Sequence, residues 1–146
     1  MSRIRPFFLG NKTTMTDDEF LASFTACTLP PEQFSHAGHI RLAWIQLQRH
    51  DFDQAVDGTC RGIRAYATHL GAATKFHTTI TVALMHLLRA AGAADRDVSW
   101  YQFVTANQDL VHNARVILAR HYSSRWLDSQ EARERFVAPD LLALPV

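Results

Sequence analysis

The sequence predicts an all-α fold: a single-domain, up-and-down helical bundle with additional short helices. Three observations lead there. Apolar residues recur three and four apart in successive segments, and alternating β-type patterns are absent. Prolines sit only at Pro6, Pro30, Pro31, Pro139 and Pro145, so residues 32–137 lack that helix breaker. The connections between periodic segments are short, which favours antiparallel neighbours.

The elements follow in order. Thr16-x-x-Glu19 is a capping box, and Phe20, Leu21 and Phe24 follow it at helical spacing, ahead of the Pro30-Pro31 stop. Ser35 caps a second helix running to about His50, with Ile40, Ala43, Trp44 and Leu47 as its apolar stripe. Asp51 or Asp53 opens a third, which carries Val56, Ile63, Tyr66, Ala67 and Leu70 and stops at Gly71. A fourth runs from near Phe76 to about Ala91, with Ile80, Leu84, Leu87 and Leu88 on one face. Ser99 caps a short fifth helix, and Asn107 marks a break. A sixth carries Leu110, Ala114, Ile117 and Leu118, and a last short one begins at Asp128 or Ser129.

A chain of 146 residues, 47% of them apolar and 20% charged, suits one globular domain over 1–146, with tails at 1–15 and 141–146. A net charge of +1 leaves no basic field for nucleic acid. The longest apolar stretch, 80–88, is interrupted by Thr81 and His86, so no membrane span is expected. Met1–Gly10 holds only the short run Phe7-Phe8-Leu9, too little for an export signal. Cys27 and Cys60 then read as free thiols in a cytoplasmic protein.

The eight histidines carry the chemical interest. His36 and His39 share a helix face and extend the second helix's buried stripe toward its start. His77 lies three before Ile80 and seven before Leu84, again on a buried stripe in a first turn. His121 follows Ile117 by four and Leu118 by three, at a helix end. Antiparallel packing brings these four to one end of the bundle. His50, His69, His86 and His112 fall off the main stripes and read as surface or boundary residues.

Neutral imidazole binds zinc, copper, iron and nickel, and a helix N-terminus favours the neutral form. The candidate metal ligands are therefore His36, His39, His77 and His121, around a divalent transition metal with an open position. The H-E-x-x-H motif is absent, since Ala37 and Gly38 separate the first pair. A metal-free site is the alternative, with candidate catalytic residues His39, His77, Arg41 and Tyr122. Trp44, Lys75, Thr81 and Asp140 are the candidate substrate-binding residues. Arg41, Lys75 and Arg64 offer cations for an anionic group, and Trp44, Phe76 and Trp126 an aromatic wall. Asp140 is placed to orient a histidine or pair with Arg41 or Arg133. Each choice has a structural counterpart. Core histidines form hydrogen-bonded networks, and Trp44, Trp100 and Trp126 read more readily as core. Gly38 allows close approach of either a helix or a ligand.

The segments Phe34-Ser-His-x-x-His-Ile-Arg-Leu-Ala-Trp44, Lys75-Phe-His-x-Thr-Ile-Thr81 and Pro139-Asp140 together resemble a family of small bacterial helical proteins. The similarity spans Phe34 to Asp140 and implies an independent single-domain unit. It carries no activity, substrate or cofactor with it. Three readings stand: a metal-dependent small-molecule enzyme, a metal-free acid–base isomerase, cyclase or hydrolase, and a non-enzymatic ligand-binding or assembly module, with a homodimer compatible with any of them.

Overall fold

The computed structural model describes residues 15–146. The readings for Met1–Gly10 and for a tail over 1–15 fall outside these residues, Met15 excepted. Among the described residues there are nine α-helices and no strand. They are α1 (Asp17–Thr25), α2 (His36–Arg49), α3 (Phe52–His69), α4 (Thr78–Ala90), α5 (Trp100–Ala106), α6 (Gln108–His112), α7 (Ala114–Leu118), α8 (Ser124–Leu127) and α9 (Gln130–Glu134). Two 3-10 turns, Pro31–Gln33 and Ala73–Lys75, precede α2 and α4.

The core is an antiparallel sheaf of α2, α3 and α4. His50 and Asp51 alone join α2 to α3, and the Asp51 carboxylate accepts the Gln54 N–H to start α3. Antiparallel order shows in the neighbours: Gln46 lies against Gly58, while His39 and Ile63 share a cavity wall. The same order joins α3 to α4, where Arg64 covers the Phe76 ring at one end and Arg89 covers Phe52 at the other. Consequently α2 and α4 point the same way, and their N-terminal turns lie at one end.

Helix α1 begins with the Thr16–Glu19 capping box and buries Phe20 and Phe24. It packs across α3, where the Phe24 ring fits over Gly62; a Cβ there would stand 2.8 Å from that ring. Arg41 secures the start of α1, donating to the Met15 carbonyl at 2.7 Å and the Asp17 carboxylate at 3.0 Å. Its guanidinium also covers the Phe20 ring.

Three local outcomes depart from the sequence pattern. The expected sixth helix is cut at Asn113, whose backbone (φ −133°, ψ 39°) is not helical, into α6 and α7. Helix α4 starts at Thr78, because His77 itself occupies the cap position with extended backbone. An unanticipated turn, α8, is capped by the Ser123 hydroxyl. The segment expected as a C-terminal tail is tied down at its start: the Leu141 N–H donates to the His121 carbonyl, and Leu144 packs against the core.

Candidate functional site

A cavity of about 350 Å³ opens between α2, α3, α4 and α7. Its walls are mainly apolar, from Phe34, Ile40, Ile63, Leu84, Met85, Leu88 and Leu118. The polar groups on them are His36, His39, Thr59, Thr81 and Arg115. A second compartment of about 360 Å³ adjoins it and shares His39, Ile63, Ile80, Thr81 and Arg115. Lys75, Phe76, His77 and Arg133 complete this outer compartment. No aspartate or glutamate lines either one. The cavity explains why Ile80 and Leu84 are only half-buried despite lying on the α4 stripe.

His39 sits at the junction of the compartments. Its Nδ1–H donates to the Ser35 carbonyl at 2.8 Å, because a carbonyl oxygen only accepts. The Nε2 atom is therefore unprotonated in the neutral ring and, among the described residues, has no partner. The ring stacks on Phe34 with centroids 3.9 Å apart. Burial holds its pKa below the ordinary histidine value, against the Ser35 hydrogen bond, and neighbouring His36 adds to the depression. Burial thus favours the neutral imidazole. Gly38, beside it, is required by the preceding turn: a Cβ there would meet the Gln33 carbonyl oxygen at 2.8 Å.

His36 is exposed rather than buried, though it lines the cavity, and its Nε2–H donates to the Leu110 carbonyl at 3.3 Å. The Ser35 hydroxyl makes no capping bond, so the cap expected from it is absent.

His77 departs most from the sequence expectation. Its Nδ1 accepts the Ile80 N–H at 3.1 Å, capping α4 in the manner of a serine or aspartate. Its Nε2–H donates to the buried Leu127 carbonyl at 2.7 Å. Both ring nitrogens are engaged, so His77 is neither a free base nor a metal ligand in this conformation. Burial first, then the nearby Arg133 and Arg115 guanidiniums, push its pKa down, against the Leu127 hydrogen bond and Asp128. Thr81 donates its hydroxyl to the His77 carbonyl at 2.9 Å, leaving its oxygen able to accept.

The remaining candidates lie away from the cavity walls. His121 is buried, and its Nδ1–H donates to the Leu142 carbonyl at 2.9 Å. Tyr122 is buried and donates to the Val137 carbonyl at 2.7 Å; desolvation raises its pKa to about 12. Asp140 accepts from the Ser123 N–H and hydroxyl, and those bonds hold its pKa low; among the described residues it orients no histidine and pairs with no arginine. Arg41 is committed to α1, so it is not the expected anion holder. Trp44 packs against Trp100 in the core, and Trp126 donates to the Ala138 carbonyl. Of the proposed aromatic wall only Phe76 reaches the site, with Phe34 supplying the other ring.

The proposed metal ligands do not converge as a set. Among the described residues, no group of three or more His, Cys, Asp or Glu is arranged to hold a metal ion. The physical reason is that His77 is engaged at both nitrogens and His121 lines neither compartment.

No family model, curated protein or solved structure matches the chain. The resemblance in the 34–44 and 75–81 motifs therefore lends it no activity or ligand. No helix among the described residues is long and apolar enough to cross a membrane.

Two lining residues escaped the histidine-led reading. Thr59 lies four after Ala55 and four before Ile63, so it is a polar residue on the buried α3 stripe. Arg115 directly follows buried Ala114 and precedes buried Leu118 by three. Each is a polar intrusion beside an apolar stripe, and that signal was present in the sequence.

Proposed function

We propose that this chain is a metal-free acid–base enzyme acting on a small molecule, with His39 Nε2 as the base. The observation that carries this reading is the unpartnered, unprotonated Nε2 of a half-buried imidazole at the junction of an apolar cavity. The fixed Nδ1–H to Ser35 bond sets the tautomer, as an orienting partner does in other histidine bases. A proton taken from a polarised C–H or O–H would pass to Nε2, forming an imidazolium. The Ser35 carbonyl would stabilise it through Nδ1–H, and Thr81 offers a hydroxyl oxygen on the same wall. A cavity this size falls within the range that encloses a metabolite-sized ligand.

The test is proton exchange. Wild-type protein and His39→Gln are each incubated in heavy water with a pooled set of metabolites, and deuterium incorporation or conversion is read by mass spectrometry. At least one compound is expected to exchange or convert with wild type, at a rate about 100-fold or more above the variant. Equal rates for both proteins across the pool would overturn the reading, and binding without turnover would leave a ligand carrier.

A further inference from the structure

We infer that the cavity takes an amphiphilic organic acid, with its anionic head among Lys75, Arg115 and Arg133 and a hydrogen-bonding group at its far end on Thr59. This assumes that the cavity is the functional site, as proposed above, but not that His39 transfers a proton.

The first observation is the charge of the outer compartment. Three cationic side chains line it, and among the described residues no aspartate or glutamate does. Among the described residues, none of the three forms an ion pair. Arg133 makes a single long bond, 3.3 Å, to the Thr74 carbonyl. Cations grouped without counter-charges repel one another, and an anion placed between them relieves that repulsion. A carboxylate or a phosphate monoester meets this chemistry equally.

The second observation lies in the inner compartment. Thr59 is 1% exposed and lines the cavity, yet among the described residues its hydroxyl has no hydrogen-bond partner. Buried hydroxyls nearly always find a partner. The walls around it are apolar, from Ile40 to Leu88, and suit an aliphatic or aromatic body. A ligand anchored at the cationic mouth and reaching inward past His39 would bring a hydroxyl, carbonyl or ether to Thr59.

The experiment is calorimetric titration of the full chain with octanoate, its ω-hydroxy derivative, octyl phosphate and octanol. Octanoate or octyl phosphate is expected to bind at least tenfold more tightly than octanol, and the better of the two identifies the head. Replacing Lys75 and Arg115 together by Met is expected to remove that advantage while leaving octanol unchanged. The ω-hydroxy acid is expected to bind about fivefold more tightly than octanoate, the contribution of one buried hydrogen bond. Thr59→Val is expected to abolish that gain. The variant also loses an unpaired buried hydroxyl, so its melting temperature is expected to hold or rise.

Octanol binding as tightly as the acids would overturn the anionic head. A gain that survives in Thr59→Val would overturn the far-end contact. No saturable binding of any acid would overturn the whole inference. Acid binding is read by calorimetry and proton exchange in heavy water, so the two readings can fail independently.

Discussion

His39 and His77 border the same compartment, and they are opposite kinds of histidine. His39 has one nitrogen bound to its own helix start and the other open to the cavity. His77 caps a helix with one nitrogen and holds a distant carbonyl with the other. Position on a helix face therefore does not make a histidine available. Availability depends on which backbone groups around it still need a partner. At the α4 start the Ile80 N–H and the Leu127 carbonyl both do, and His77 serves both.

The comparison extends to the two halves of the molecule. The polar side chains that hold the C-terminal segment are turned to backbone groups. Tyr122, Trp126 and His121 each donate to a carbonyl there, and Thr79 both donates to the Arg135 carbonyl and accepts the Val137 N–H. That region lacks helical or sheet ladders to satisfy its main chain, so side chains do it instead. The cavity half retains polar atoms without partners, His39 Nε2 and the Thr59 hydroxyl among them.

The sharpest break of this contrast is His77→Ala. It removes a helix cap and leaves the Leu127 carbonyl without its donor, an expected loss of about 3 kcal/mol in chemical denaturation. His77→Asn keeps the capping group and is expected to recover about 1 kcal/mol of that loss. A His77→Ala protein as stable as wild type, yet inactive, would reverse the roles assigned to the two histidines.

Tyr122→Phe comes next. Loss of the donor to Val137 in a buried setting is expected to cost about 1–2 kcal/mol and to leave ligand binding unchanged. Weakened acid binding in a stable Tyr122→Phe protein would show that the two halves are not separate.

The smallest effect is on acid stability. His39, His77 and His86 each have a folded pKa below the ordinary 6.5, chiefly through burial. Between those folded values and 6.5 the unfolded chain binds more protons. Their contribution to stability is therefore complete above about 6.5 and lost as pH falls below it. Melting temperature should be flat just above that point and decline beneath it, less steeply in His77→Asn. An equal decline in that variant would remove His77 from the set that resists charging.

Much of the fold was legible in local pattern. The Thr16–Glu19 box, the Ser99 and Asp51 caps and the Gly71 stop act within a few residues of themselves, so spacing finds them. The convergence of the α2 and α4 starts followed from short connections, and it placed His36, His39, His77, Lys75 and Thr81 around one cavity. Arg41, Asp140, Tyr122 and His121 read as site residues from their chemistry and local position alone. Their partners lie 15 to 26 residues away, beyond any helical period.

The sequence by itself determined that this chain is helical, where most helices begin, and which faces turn inward, because those depend on 3.6-residue periodicity and on caps a few residues long. Only the tertiary structure decided which inward polar groups remain free. That choice depends on the backbone donors and acceptors that long-range packing brings alongside. It engages His77 on both sides, exposes His36, and leaves His39 and Thr59 facing the cavity.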